Sequence, residues 1–274
     1  MKRAKVIALC NQKGGVGKTT TCANLGIGLA MEGKKVLLID SDPQASLSYS
    51  LGVSEPDSVR ETLSEIILNT IDEKQMPSKF GILSHEEGVD FIPSNIGLSA
   101  IDVTLINTMS REYVLKRYID SVRERYDIVL IDCMPSLGMM TMNALVAADS
   151  VIIPSQPQFL SAMGLDQLMG TISKIKRQLN PNLAVDGILL TMVNARANFT
   201  KEMIDIMQRQ YKGFVKIFDT QIPVSIRAAE TPSQGVSIFK YNKSGKVALA
   251  YKEFTKEVLG IEKRFIKDKA ENVR

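Results

Sequence analysis

The sequence predicts an α/β fold, namely a doubly wound, mostly parallel sheet with helices on both faces. Short runs that are apolar at nearly every position alternate along the chain with longer stretches of helical periodicity. Strands of that composition are buried on both faces, and strands that are joined through helices run parallel. Because no linker, repeat or low-complexity block interrupts this alternation, residues 1–274 are predicted to form a single domain, with 260–274 as a flexible or helical C-terminal tail.

The individual elements follow from the same two patterns. The predicted strands share apolar, often β-branched residues, and they cover residues 5–10, 35–40, 89–93, 127–132, 150–154, 184–193 and 213–218. The predicted helices share apolar residues three or four positions apart, and they cover residues 19–32, 111–126, 139–148, 164–179, 200–211 and 246–259. Gly33 closes the first helix, and Asn180 with Pro181 stops the fourth. Residues 54–87 are the least regular part and are predicted to carry helices and loops.

Composition excludes several classes of protein. Apolar residues make up 45% and charged residues 23%, as in an ordinary globular protein, and no apolar run is long enough to span a membrane. Cys10, Cys22 and Cys133 are an odd number without a C-x-x-C motif, which predicts a reducing cytoplasm rather than disulfides. The single histidine, His85, argues against a histidine metal site. The net charge of +4 identifies no partner, although the chain is richer in lysine and arginine from Lys201 onward.

A glycine-rich loop, N-Q-K-G-G-V-G-K-T-T at residues 11–20, joins the first predicted strand to the first predicted helix. Glycines at 14, 15 and 17 let the backbone turn so that successive amides can face phosphate oxygens. The helix that begins near Lys18 adds the positive end of its dipole. A loop of this kind between a strand and a helix predicts a nucleotide-phosphate site.

The polar side chains of this loop have the chemistry that such a site needs. Lys18 can reach the β- and γ-phosphates, the Thr19 hydroxyl can ligate Mg²⁺, and Thr20 can support the α-phosphate. The predicted cofactors are therefore ATP and Mg²⁺. The loop residues predicted to contact the nucleotide are Lys13, Gly14, Gly15, Val16, Gly17, Lys18, Thr19 and Thr20.

The loop departs from the common phosphate-loop pattern because Gln12 stands where its first glycine would fall, and Lys13 is an additional cation. This form resembles the deviant loop of the superfamily that contains ParA, MinD and the nitrogenase iron protein. The resemblance implies that Lys13 crosses a dimer interface and contacts the phosphates bound by the partner subunit. It would then act in trans, much as an arginine finger does.

Two further strands end in acidic residues. The second strand ends in Asp40 and continues with Ser-Asp-Pro-Gln, and the strand over residues 127–132 ends in Asp132. Carboxylates at the carboxyl ends of parallel strands face the same crevice as the loop. Asp132 follows four apolar residues at a strand end, which is the usual position of a carboxylate that lies beside the bound magnesium. The resemblance to ParA implies that Asp42 orients the attacking water or the ligands around the magnesium. The alternative is a capping or turn role for Asp42 and, more strongly, for Asp40, whose side chain can simply support the loop.

These motifs define the predicted machinery. The predicted catalytic residues are Lys13, Lys18, Asp42 and Asp132, and the predicted Mg²⁺ ligands are Thr19, Asp42 and Asp132. Phosphoryl transfer to water needs mainly positioning and charge stabilisation, so a catalytic histidine or cysteine is not required.

The resemblance to ParA extends to the base and to DNA. In that family the asparagine at a strand end and the proline of an I-P step flank adenine, which implies Asn194 and Pro223 here; a capping asparagine and a turn proline are the alternative. The family binds duplex DNA without sequence preference, and the matching positions are Arg196, Arg227 and, less closely, Lys252. Such contacts would reach phosphates and carry no sequence information.

The resemblance to ParA covers nearly the whole chain and implies a slow, partner-stimulated ATPase that dimerises on ATP. It implies non-specific binding to double-stranded DNA, a ParB-like partner, and a cytoplasmic, nucleoid-associated protein. A positioning ATPase for another cargo remains an alternative. A MinD-like membrane-cycling ATPase is disfavoured because the tail, although it contains Ile261, Phe265 and Ile266, ends polar. The placement of the cysteines also disfavours an iron–sulfur protein.

Overall fold

The computed structural model describes residues 3–271, except for the side chains of residues 159–163 and 262–271. Within that part of the chain, eight strands form one sheet in the order β3-β4-β2-β5-β1-β6-β7-β8. The strands are β1 (Lys5–Leu9), β2 (Val36–Ser41), β3 (Leu83–Ser84), β4 (Asp90–Ile92), β5 (Ile128–Cys133), β6 (Ser150–Ser155), β7 (Ala184–Val193) and β8 (Ile217–Pro223). Only β3 and β4 pair antiparallel. The predicted mostly parallel sheet is confirmed.

Helices cover both faces of this sheet. They are α1 (Lys18–Met31), α2 (Ser46–Ser50), α3 (Leu63–Ile71), α4 (Leu98–Ile106), α5 (Val114–Val122), α6 (Met139–Ala147), α7 (Phe159–Gln178), α8 (Asn198–Tyr211), α9 (Ile226–Gln234), α10 (Ile238–Tyr241) and α11 (Lys246–Glu271). Successive side chains of β1 point to opposite faces, so Val6 and Ala8 pack with α5 and α6, whereas Ile7 and Leu9 pack with α1 and α11. The two apolar cores are therefore separated by the sheet, as the doubly wound prediction requires.

The last strand differs from its prediction. A strand over residues 213–218 was expected, but β8 runs from Ile217 to Pro223. Gly213 has a φ of 82° and lies just beyond the end of α8, so it belongs to the turn. In β8 the buried Phe218 and Ile222 alternate with exposed polar residues, because this edge strand is buried on one face only. The criterion of a continuous apolar run therefore missed its second half.

Helical boundaries also differ in the middle and at the end of the chain. The predicted helix over 111–126 is α5 between two short 3₁₀ turns, and α2, α4, α9 and α10 were not predicted. The predicted tail continues α11 as far as Glu271, while residues 272–274 lie outside the described residues. The single-domain division stays a prediction. No helix in the described part of the chain is both long and apolar enough to cross a membrane.

Candidate nucleotide-binding site

The glycine-rich loop lies at the carboxyl end of β1, directly before α1. Gly15 and Gly17 have φ values of 69° and 81°, in the left-handed region that glycine adopts without strain. Gly17 caps α1, whose first turn contains no acidic residue, so the helix end stays favourable for an anion. Any other residue at Gly17 would be strained and would also approach Thr191.

Side chains from distant parts of the chain hold the loop in place. The Asn11 side chain donates to the carbonyl of Pro154 over 2.7 Å and accepts from the amide of Lys13 over 3.0 Å. The Gln156 amide donates to the carbonyl of Gly15 over 2.9 Å. Sequence reasoning missed both side chains, because their partners are fixed only by the neighbouring positions of β1 and β6. The loop is thus held in shape by the sheet itself.

Two adjoining cavities open beside this loop. The first, of about 510 Å³, is lined by Gly14, Gly15, Gly17, Lys18, Thr19, Thr20, Asp42, Gln44, Ser46, Tyr49, Ser50, Pro135, Met192 and Pro232. The second, of about 370 Å³, shares Gly17, Thr20, Met192 and Pro232 and is otherwise lined mainly by apolar residues of β8, α9 and α11. Their combined arrangement suits a molecule with a charged phosphate part and a flat, less polar part. Among the predicted residues, Lys13, Val16, Asp132 and Asn194 do not line either cavity.

The two loop lysines differ in direction. Lys18 is buried and lines the first cavity, and its ammonium donates to the carbonyl of Lys13 over 3.3 Å. The Lys13 ammonium instead donates to Oε1 of Gln158, 2.6 Å away. Val16 between them is fully buried, and its carbonyl accepts from the hydroxyl of Thr191 over 2.8 Å. Only Lys18 is therefore positioned to neutralise an anion within its own cavity.

A threonine–aspartate pair lies beside the loop. The Thr19 hydroxyl donates to Oδ2 of Asp132 over 2.7 Å, while Oδ1 of Asp132 is buried and has no hydrogen-bond partner among the described residues. Burial and, next, the nearby charge of Asp40 raise the pKa of Asp132 to about 8. Such a carboxyl group is stabilised in its charged form by a cation. The hydroxyl and carboxylate oxygens therefore fit a hard divalent ion such as Mg²⁺.

The number of protein ligands also fits Mg²⁺ better than a metal that is held by protein side chains alone. The described residues contain no cluster of three or more histidine, cysteine, aspartate or glutamate side chains arranged to hold a metal. Mg²⁺ is usually held by one or two carboxylates together with substrate phosphates. The site matches that mode, because the phosphate cavity lies against the same loop that carries Thr19.

Two aspartates, Asp40 near the end of β2 and Asp42 just after it, have separate tasks. Asp40 is fully buried, and its Oδ2 accepts from both the amide and the hydroxyl of Ser48, over 2.8 and 2.7 Å. These bonds lower the pKa of Asp40, but burial outweighs them and raises it to about 6. Asp42 lines the first cavity, and its Oδ1 accepts from the amide of Gln44 over 2.9 Å. Asp40 thus supports the loop from beneath, and Asp42 is the carboxylate that faces the cavity.

The base end of the site contains one of the two residues implied by the resemblance. Pro223 lines the second cavity. Asn194 follows Val193, which pairs with Pro223, but its side-chain oxygen accepts from the amide of Arg196 over 3.3 Å and thereby stabilises a turn. Met192 lines both cavities and has a left-handed φ of 51°. This backbone conformation is uncommon for a residue other than glycine, so the sequence does not predict it.

The cationic residues predicted for DNA lie on the loop after β7, at the start of α9 and on α11. Arg196 follows β7 and Arg227 is the second residue of α9. The amide of Val224 donates to the carbonyl of Val193 over 3.3 Å, which holds the segments after β7 and β8 side by side. Both arginines are exposed, and Arg227 donates to Oδ1 of Asn242 over 2.9 Å. Lys252 is half-buried on α11.

Comparisons with known proteins agree with this geometry. The family described as "AAA domain" matches residues 4–185. The sporulation initiation inhibitor protein Soj of Bacillus subtilis is 40% identical over 254 residues, which cover 93% of this chain and 98% of Soj. The chromosome partitioning protein ParA of Caulobacter vibrioides is 37% identical over 261 residues, covering 94% of this chain and 95% of that protein.

One solved structure is similar to this chain in both fold and sequence. Cobyrinic acid a,c-diamide synthase from Mycobacterium smegmatis, with bound ADP and magnesium, superposes with a TM-score of 0.81 at 34% identity. The match covers 93% of this chain and 94% of that protein. Since the relatives match over nearly their whole length and the phosphate loop lies where the fold requires it, the chain belongs to the ParA/MinD family of P-loop ATPases.

Proposed function

We propose that this protein hydrolyses ATP to ADP and phosphate in order to partition DNA. The observation that carries the proposal is the phosphate loop, in which the buried Lys18 and the Thr19–Asp132 pair meet beside one cavity. Its relatives Soj and ParA, of which ParA is named as a chromosome partitioning protein, support the choice of cargo. ADP and magnesium bound to the Mycobacterium smegmatis relative support the choice of nucleotide and metal.

The residues of the site divide the chemistry between them. Lys18 and the loop amides bind the phosphates, while Thr19, Asp42 and Asp132 hold Mg²⁺, which neutralises phosphate charge when bound. Asp42, whose Oδ1 is held by the amide of Gln44, orients the attacking water with its remaining oxygen. Pro223 packs against the base. The resemblance to ParA assigns Asn194 to the base as well, and its side-chain oxygen accepts from the amide of Arg196 in this structure.

The dimer and its partners follow from the same proposal. Lys13 is held by Gln158 away from its own cavity, so it can serve the phosphates of a second copy of the chain when ATP joins the two. The exposed Arg196 and Arg227, together with Lys252, then contact DNA phosphates without reading sequence. A ParB-like protein stimulates the otherwise slow turnover, and the protein is cytoplasmic and associated with the nucleoid.

Asp42→Ala is expected to separate binding from turnover. The variant retains Lys18, the loop amides and the Thr19–Asp132 pair as metal ligands, so its affinity for MgATP should stay within about threefold. Phosphate release should fall by about 100-fold or more because water is no longer positioned. Equilibrium binding and steady-state phosphate release measure the two quantities. Turnover that matches the wild type would remove Asp42 from the proposed mechanism.

Binding to random-sequence duplex DNA tests the proposed cargo. Binding should require ATP with Mg²⁺, be absent with ADP or without nucleotide, and fall steeply as salt is raised, because phosphate contacts release counterions. Arg227→Ala should weaken it by about tenfold. Arg177→Ala, an exposed arginine near the end of α7, is the matched control and should bind normally. A protein that dimerises with ATP but binds DNA under none of these conditions would instead indicate a positioning ATPase for another cargo.

A further inference from the structure

A large cleft lies far from the nucleotide site. It has a volume of about 680 Å³ and lies between the end of α3, the following segment and α5. α5 ends at Val122, shortly before the amino end of β5, whereas Asp132 at the other end of that strand belongs to the nucleotide site. The cleft therefore opens at the opposite edge of the sheet. Its volume is in the range of small-molecule sites.

Two arginines mark the helical wall of this cleft. Arg117, Ser121 and Arg125 are spaced four residues apart along α5 and the 3₁₀ turn after it, so they lie along one face. At about 1.5 Å per residue, the two arginine positions are roughly 12 Å apart along the axis. The Ser121 hydroxyl donates to the carbonyl of Tyr118. The Arg125 guanidinium donates to the carbonyls of Ser78 and Val122, which fixes its position at one end of that wall.

The positive charge of the cleft is not balanced by its own acidic groups. The lining contains Lys74, Arg117 and Arg125 but only one acidic residue, Glu73. Lys74 is already paired with Asp72 over 2.8 Å. Arg117 is exposed, and its guanidinium makes no hydrogen bond or ion pair with any other described residue. An anion placed here would gain charge-assisted hydrogen bonds from planar guanidinium groups that suit carboxylates and phosphates.

The floor between the arginines is apolar with one polar exception. Met76, Pro77, Val122 and the ring of Tyr118 form it. Tyr118 is only 4% exposed, and its hydroxyl is buried without a hydrogen-bond partner in the described part of the chain. Burial raises the pKa of Tyr118, so the hydroxyl stays a protonated donor. The hydroxyl of Tyr118 is therefore a donor that no described side chain or carbonyl of this cleft engages.

The geometry points to a second ligand site, specific for a small organic dianion whose two carboxylate or phosphate groups are joined by an apolar middle. One anionic group pairs with Arg117 and the other with Arg125, while the apolar middle lies on Met76, Pro77 and Val122. Arg125 also lines a neighbouring cavity of about 230 Å³ together with Lys35, Lys79 and Asp90, so that basic residues outnumber acidic ones at that end as well. The site is independent of the proposed ATPase function.

The test uses the full chain with saturating ADP and Mg²⁺, so that the phosphate loop is already filled. Suberate is titrated while amide NMR signals of residues 73–78 and 117–125 are followed, and an alkane diphosphonate of matched length distinguishes phosphate from carboxylate ligands. Binding of either dianion at these signals, with octanediol inert, is the expected result. No shifts with either dianion, or equal shifts with octanediol, would overturn the proposal.

Variants localise the site. Arg117→Gln should weaken binding by about tenfold, the size expected for one charge-assisted hydrogen bond. This substitution breaks no bond within the described residues, so loss of folding does not confuse the result. Arg209→Gln, which changes an exposed arginine on α8, is the matched control and should leave the affinity unchanged. Equal affinity of Arg117→Gln and wild type would contradict the assignment.

Discussion

Lys18→Met is expected to lower the affinity for MgATP by at least about 100-fold, which corresponds to roughly 3 kcal/mol. Lys18 is buried and is the cation that lines the phosphate cavity, since Lys13 is held by Gln158. Methionine keeps most of the apolar stem but removes the charge-assisted hydrogen bonds to phosphate. Titration calorimetry with MgATP measures the loss directly.

A stability control belongs with that measurement, because Lys18 lies within the structure. Thermal unfolding without nucleotide should change little, since among the described residues the ammonium of Lys18 makes one long hydrogen bond, to the carbonyl of Lys13. Lys201→Met, an exposed position on α8, should bind MgATP like the wild type. A folded Lys18→Met protein with normal affinity would disprove the assignment of this lysine.

Asp132→Asn is expected to stabilise the protein without Mg²⁺ or nucleotide at alkaline pH. Burial raises the pKa of Asp132 to about 8, so its neutral form is favoured in the folded state. For a carboxyl group with a raised pKa, the stabilising contribution is complete below the unfolded pKa of about 4 and is lost as pH rises through about 8. Asparagine stays neutral, so the variant should gain about 1–3 kcal/mol near pH 9.

Urea unfolding at pH 5 and pH 9 in the presence of a chelator measures this difference. Asp40, whose pKa is raised to about 6, titrates in both proteins, and its charge repels that of Asp132. The comparison therefore reports the loss of the Asp132 charge together with the relief of that repulsion. Near pH 5 the two proteins should unfold at similar urea concentrations. An identical stability difference at both pH values would show that Asp132 does not titrate as its burial requires.

The same variant should be impaired in turnover. Asparagine retains an oxygen for the Thr19 hydroxyl but loses the negative charge that holds Mg²⁺. Phosphate release should therefore fall by about 100-fold or more, the scale of losing one strong electrostatic contact in an active site. Stability and activity would thus change in opposite directions, as is expected where a strained group is retained for function. If Asp132→Asn released phosphate as fast as the wild type, Asp132 would not be a ligand of the metal.

Sequence reasoning succeeded wherever the information was local. Continuous apolar runs predicted the central strands, because burial on both faces leaves no room for polar side chains. The phosphate loop was predicted from glycine and lysine spacing, because its backbone must turn directly between a strand and a helix. Asp40 and Asp132 were expected at strand ends, and they lie opposite each other in the register of β2 and β5.

Only the tertiary structure separated residues that look alike in the sequence. Asp40 and Asp42 both lie at the carboxyl end of β2, but the hydroxyl of Ser48 engages Asp40 while Asp42 faces the cavity. Lys13 and Lys18 both belong to the loop, but Gln158 holds the first away from the cavity. These differences depend on the direction of each side chain and on partners brought close by the sheet, neither of which local spacing specifies.

The sequence by itself therefore determined the fold class, the position of the phosphate loop and the strand-end aspartates, since each depends on residue type within a short segment. The tertiary structure decided which aspartate supports and which faces the cavity, placed Pro223 but not Asn194 in the base cavity, and formed the cleft between Arg117 and Arg125. The physical reason is that burial, register and charge pairing arise only when segments distant in the chain pack against one another.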